Sequence, residues 1–507
     1  MRVKQAVTAA CLVLAFVYLV ILQVEAIWPF TIDDMYITLR YAKNWVAGGE
    51  LLWNMDSPPV EGYSNFSFLV LAGYVLTWGG DPVAALKWMG VCGLFFTILA
   101  LYLLSRFWFG RLISLIPCVW LLLYRGQIIW SVSGLETTTY QALLALGLYC
   151  LLRAQGYKAS PQARGVPQFP MALLAGFLFV LASMTRSEAP ALIMLFYCLA
   201  GWDALSRQRL ALRAIACSAM VYLVAFLPYF LWRWQYYGLL FSNPVYCKGH
   251  SAEWFILDSD YLSLAWPFLL LAIYGALRKG RNRLPWYFIL PSVVYLLLLI
   301  RAQSLVAFDN RLFLPVFFLL LPVSLQGLRE LVTVFLPRTE QSVSTATLLL
   351  ASFLMAFFFI PMMTLPQLRY FTKNPVAGEK LRLKVVQWLN QHTSADSRIV
   401  LGDSGFIPYY SPLHYTDSYC LNNKAMAMQP QAERDQWFCR TILSLKPDVV
   451  ILASLIEGNK VTYMPVDQCL EQALKTNSAY QLQALYYSAS DHSAYRYQIF
   501  QLVGGAP

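Results

Sequence analysis

Charge is what this sequence lacks most. Only 13% of its 507 residues are Asp, Glu, Lys or Arg, about half the share of a soluble chain. Such a composition excludes disorder, collagen-like repeats and an ordinary cytosolic enzyme. A P-loop and a dinucleotide fingerprint are also missing, so a soluble nucleotide cofactor finds no support. The cysteines show no zinc-like spacing. No internal repeat stands out, which argues against a repeat-built transporter.

What fills the chain instead is apolar: 58% of residues are hydrophobic and the mean hydropathy is +0.52. That composition belongs to a polytopic α-helical membrane protein. Eleven segments reach or approach the roughly 20 apolar residues of a span. They are 6–24, 85–105, 112–130, 137–153, 170–185, 189–202, 214–234, 261–277, 285–300, 312–328 and 344–363. The first is longer than a signal-peptide core of about 7–15 residues, so it reads as an uncleaved anchor. A twelfth run, 66–78, is too short to cross a core of about 30 Å as a helix.

The net charge of +11 would suggest nucleic acid in a soluble protein. Here its location explains it. With the N-terminus inside and 66–78 not spanning, the inner loops hold 16 basic residues against three acids. The outer loops before residue 364 hold eight against twelve. This is the positive-inside pattern, and no nucleic-acid partner is needed to explain it. If 66–78 did span, the basic loops would face the wrong side, so it reads as a re-entrant or interfacial helix.

The transmembrane part ends near residue 363, and 364–507 reads as an outer, mixed-charge α/β domain. A helix is expected over 377–391, with Leu381, Val385, Trp388 and Leu389 as its apolar stripe. Ile399-Val400-Leu401 and Val449-Val450-Ile451-Leu452 read as strands, and 480–502 as a hairpin. Cys247, Cys420, Cys439 and Cys469 fall on the outer side, where one disulfide suits an oxidising compartment. Its pairing is open.

The first outer loop, within 25–84, is the richest in candidate chemistry. Asp33 and Asp34 open a helix over 33–46 whose residues Ile37, Tyr41 and Trp45 share a face, as on a membrane-surface helix. The helix dipole favours acids there, so both could serve as caps alone. A carboxylate pair is also what glycosyl transfer uses: one takes the proton of an acceptor hydroxyl, and the other holds it or binds a divalent cation. Tyr36 and Arg40 follow on the same helix, and Glu61-Gly62-Tyr63-Ser64-Asn65 turns into the short apolar run.

Further candidates stand at the outer edges of spans. Glu136 opens one span, and Arg186 and Glu188 join two others. Charges at such depth are costly and usually functional; a local ion pair is the alternative for Arg186 and Glu188. Lys248 and Arg311 could join Arg186 in a cationic patch for a lipid phosphate. In the tail, Gly402-Asp403-Ser404-Gly405 follows a strand and leads to Tyr409, Tyr410 and His414, a candidate sugar-binding rim.

These motifs, in this order, resemble the polytopic GT-C glycosyltransferases. Within them the chain is similar to the terminal arabinofuranosyltransferases of the mycobacterial cell wall and their pilin-arabinosylating proteobacterial relatives. The resemblance runs along nearly the whole chain. It implies transfer of arabinofuranose from a polyprenyl-phosphate donor to a glycan, lipid or pilin hydroxyl. It implies catalysis by Asp33 and Asp34, with Lys248, Arg311 and Arg186 meeting the donor phosphate. Tyr36, Arg40, Glu61, Asn65, Glu136, Glu188, Asp403, Tyr409, Tyr410 and His414 would line the substrates. The expected location is the bacterial inner membrane, with the N-terminus cytoplasmic and the C-terminal domain periplasmic. No cofactor is required by any motif, and a divalent cation at Asp33 and Asp34 stays open.

Overall fold

The computed structural model describes residues 2–159, 165–205, 209–248, 256–278, 282–300, 302, 307–335, 341–458, 460–464, 466–488 and 494–503. Of the residues behind the sidedness count, Arg164, Arg207, Glu253, Lys279, Arg281, Arg301, Arg338 and Glu340 lie outside the described residues. By its contacts the chain forms two compact units. One comprises Met1–Trp28, Lys87–Leu231 and Ser251–Leu368, and the other Pro29–Leu86, Trp232–His250 and Arg369–Pro507. This grouping differs from a cut at residue 363, because the first outer loop packs with the tail.

Among the described residues, four helices are long and apolar enough to cross a membrane: Pro82–Ser105, Leu210–Tyr237, Asp258–Arg278 and Arg311–Val334. The pair Ile113–Leu123 and Arg125–Val132, bent by 68°, adds a fifth if it is one broken span. Leu14–Ala26, Phe169–Thr185, Ala189–Leu205, Trp286–Leu299 and Thr345–Phe359 are apolar but shorter. In the first unit the helices Ile256–Arg278 and Leu314–Phe335 meet at Gly275 and Gly327. A Cβ on Gly327 would run into the Leu271 carbonyl. Small residues permit this closeness where lipid supplies no hydrophobic drive between helices.

The second unit is built on a mixed sheet. Its strands are β1 (Arg398–Leu401), β2 (His414–Asp417), β3 (Val449–Glu457), β4 (Lys460–Tyr463), β5 (Tyr480–Tyr487) and β6 (Ala494–Leu502). The order is β2-β1-β3-β6-β5, with β4 paired to β3. β1 runs parallel to β2 and β3, and the remaining pairs are antiparallel. The two apolar runs became β1 and β3, and 480–502 became the β5–β6 hairpin. β2 has a weaker signal: its polar His-Tyr-Thr-Asp buries only Tyr415 and Asp417.

The helix expected over 377–391 runs Leu365–His392 and buries all four residues of its stripe. The helix Asp33–Gly48 departs from a one-faced surface helix, because every residue from Met35 to Ala42 is buried. The run 66–78 forms a helix, Phe66–Thr77, of only 12 residues. Two disulfides form where one was expected, Cys247–Cys420 and Cys439–Cys469. The first ties the short helix Asn243–Lys248 to the segment after β2.

Candidate functional site

The turn after β1 brings the tail onto the first turn of the helix Asp33–Gly48. The amide of Gly405 donates to Asp33 Oδ2 and that of Phe406 to Oδ1, each at 2.9 Å. A Cβ on Gly405 would collide with the Asp33 carbonyl, so the approach requires glycine. On another side, Arg382 Nε lies 3.3 Å from Asp33 Oδ1, and its Nη2 lies 3.2 Å from Asp403 Oδ2. Tyr495 donates to Asp403 at 3.1 Å, and the Tyr497 hydroxyl donates to it as well. Asp403 sits at the carboxyl end of a parallel strand, the edge where open α/β sheets generally gather ligand-binding loops.

Burial pushes the Asp33 carboxyl up to about 7. Arg382 and the Phe406 amide pull it down, while Asp403 and Asp34 push it further up. A carboxylate has about four lone-pair directions, so two amide bonds leave Asp33 able to accept a proton. Asp34 faces Lys248, whose Nζ lies 3.6 Å from Oδ2. Both are partly open, at 23% and 24% side-chain exposure, against 14% for Asp33. Arg434 donates to the carbonyls of Cys247 and Tyr246, and Asn243 to those of Cys420 and Leu421. With the disulfide, these bonds fix the segment that carries Lys248.

The other candidates in this unit separate into distinct roles. Tyr36 donates to Glu379 at 3.2 Å and packs against Phe406, Tyr409 and Tyr410. Arg40 is buried and directs its N–H groups to the carbonyls of Trp53, Pro408, Ser411 and Leu413 and to Asn54 Oδ1. These five bonds match the five donors of a guanidinium, so Arg40 acts as a clamp on the 408–413 loop. Glu61 is a buried partner of Arg233 at 2.5 Å. Asn65 accepts from Thr38 at 2.8 Å. Tyr409 and His414 line a cleft of about 230 Å³ together with Lys43 and Asp56, and His414 Nδ1 lies 2.9 Å from Asp56.

The first unit holds a separate buried cluster at converging helix ends. Arg186 Nη1 lies 2.7 Å from Glu136, and its Nη2 lies 2.6 Å from Glu188. Arg311 Nη2 lies 3.5 Å from Glu136, and its guanidinium stands over the Trp130 ring. Tyr295 donates to Glu188 at 2.8 Å. The structure thus joins four sequence candidates, Glu136, Arg186, Glu188 and Arg311. Lys248 lies in the other unit.

Arg382, Glu379, Tyr495 and Tyr497 escaped the sequence reading. Glu379 and Arg382 flank the apolar stripe one turn apart, so their shared face was legible but its partner was not. Among the described residues, no group of three or more His, Cys, Asp or Glu side chains is arranged to hold a metal ion.

Residues 369–500 match the family model described as a domain of unknown function, DUF8728. No curated protein matches the sequence. Solved structures do match. ArnT from Cupriavidus metallidurans, bound to undecaprenyl phosphate, is similar with a TM-score of 0.57 and 14% identity, over 98% of this chain and 100% of that one. The Archaeoglobus fulgidus oligosaccharyltransferase in its apo form gives a TM-score of 0.55 and 10% identity, over 94% and 80%. The same organism's AglB, with an inhibitory peptide and a dolichol-phosphate, gives 0.52 and 10%, over 89% and 74%. The chain has the GT-C fold.

Proposed function

We propose that this GT-C chain transfers a sugar from a polyprenyl-phosphate donor to a hydroxyl acceptor, and that the sugar is arabinofuranose. The observation that carries the reading is Asp33, held by two tail amides beside the Asp34–Lys248 pair. The donor class is supported by the undecaprenyl phosphate and dolichol-phosphate in two of the similar structures. The sugar rests on the resemblance of the sequence motifs alone.

In this reading the acceptor hydroxyl gives its proton to the Asp33 carboxylate. Its oxygen bonds to the anomeric carbon as the bond from that carbon to the phosphate oxygen breaks. The polyprenyl phosphate leaves with the electron pair, and Lys248 neutralises it. Asp34 orients Lys248. Arg186 and Arg311 would reach a phosphate only by exchanging it for a glutamate, so they are assigned to holding helix ends together. The cleft at Tyr409 and His414 suits the acceptor, a glycan, lipid or pilin. Eleven spans would put the N-terminus in the bacterial cytoplasm and the tail in the periplasm, on the inner membrane.

The test is a transfer assay with purified protein in proteoliposomes. Synthetic polyprenyl phosphates carrying arabinofuranose, aminoarabinose or a hexose are offered with glycan, lipid and pilin acceptors. Transfer from the arabinofuranosyl donor, with release of polyprenyl phosphate, is expected. Transfer of another sugar alone would overturn the sugar. Translocation of the intact donor without transfer would overturn the enzyme.

A further inference from the structure

The tail reaches the proposed base through one residue that has no other assigned task. Arg382, on the helix Leu365–His392, lies between two carboxylates from distant parts of the sequence: Asp33 of the first outer loop and Asp403 after β1. Its side chain is 19% exposed and that of Asp403 is 7% exposed, so water screens the contact weakly. Tyr495 and Tyr497 of β6 hold Asp403 from the other side. Arg382 donates to Asp403 Oδ2 from both Nε, at 3.3 Å, and Nη2, at 3.2 Å, while its Nε stands 3.3 Å from Asp33 Oδ1.

We propose that Arg382 is a positioning residue for the proposed transfer, linking Asp33 to Asp403 so that the tail sets both the orientation and the proton affinity of the base. The inference rests on the reading of Asp33 as the base. The charged and titratable groups that face Asp33 are Arg382 from the tail helix, Asp403 from the turn after β1, and Asp34 on its own helix, which Lys248 attends. Tyr495 and Tyr497, which donate to Asp403, also face Asp33, and the Gly405 and Phe406 amides complete the surroundings.

The signs follow from these charges. Arg382 favours the ionised form of Asp33, and Asp403 disfavours it. Removing the guanidinium should raise the pH at which Asp33 ionises, and removing the Asp403 charge should lower it. A merely structural residue would change activity without moving the two in opposite directions.

The experiment compares wild type, Arg382→Gln, Arg382→Lys and Asp403→Asn by two readouts. The first is the acid limb of kcat/KM for sugar transfer. The second is an infrared titration of the carboxyl band that disappears in Asp33→Asn. Arg382→Gln is expected to move both upward and Asp403→Asn to move both downward, each by about 1–3 pH units. Arg382→Lys should restore much of the wild-type position. A band that moves in neither variant, or in the same direction in both, overturns the inference. A band that moves as expected in a protein that transfers no sugar overturns the transferase reading and leaves the electrostatic link standing. If Arg382→Gln does not fold, Arg382→Lys and Asp403→Asn decide the outcome through the same band.

Discussion

The chain gathers two groups of charges, one buried at helix ends and one partly open at the first turn of the helix Asp33–Gly48. In the helical unit, two arginines meet two glutamates: Arg186 bridges Glu136 and Glu188, and Arg311 reaches Glu136. In the sheet-containing unit, Asp33 and Asp403 flank Arg382, and Asp34 faces Lys248. Equal numbers of opposite charges stabilise the ionised forms on both sides, and such a group holds helix ends. Around Asp33 burial outweighs the pull of Arg382, Asp403 and Asp34 add to the effect of burial, and the carboxyl is pushed up to about 7. A base is most useful when its proton affinity lies near the working pH.

The comparison breaks first at Asp33. Asp33→Asn removes the base while keeping its size, and transfer should fall by about 10²–10⁴-fold. Intact extraction and donor-lipid binding would separate lost chemistry from lost folding; a variant with full activity would remove Asp33 from the mechanism.

The balanced cluster should respond in the opposite currency. Glu136→Gln leaves two buried guanidinium groups against one carboxylate, a change that costs about 3–5 kcal/mol. Its mark is a lower thermal unfolding temperature in detergent, with near-normal turnover of whatever remains folded. An unchanged unfolding temperature with lost turnover would move this cluster into the active site.

A smaller effect sharpens the description of Lys248. The Cys247–Cys420 bond closes a separation of 173 residues beside it. Paired Cys247→Ser and Cys420→Ser changes should cost about 2–4 kcal/mol and raise the KM for the donor. Donor KM equal to wild type would show that Arg434 and Asn243 suffice to hold the lysine segment.

Much of the architecture was legible because it depends on local pattern. The apolar runs marked the helices, the β-branched runs marked β1 and β3, and the short length of 66–78 set it apart. β2 was hidden because three of its four residues, His414, Thr416 and Asp417, are polar and its burial comes from neighbours. The acidic pair and Lys248 were legible as chemistry on an edge. Arg382 was not, since an arginine on an amphipathic helix usually faces water, and only the fold sets Asp33 and Asp403 on either side of it. Arg40 and Glu61 read as ligand groups, yet buried carbonyls and Arg233 occupy them. Which charges pair off internally is a three-dimensional property.

The most direct test of the contrast between the clusters is where the donor phosphate lies. A polyprenyl phosphate carrying a diazirine beside the phosphate is bound to the protein in proteoliposomes, irradiated, and mapped by mass spectrometry. Adducts on the Asn243–Lys248 segment and on the first turn of the helix Asp33–Gly48 are expected. Adducts confined to the peptides around Arg186 and Arg311 would contradict the assignment and make the balanced cluster the phosphate site.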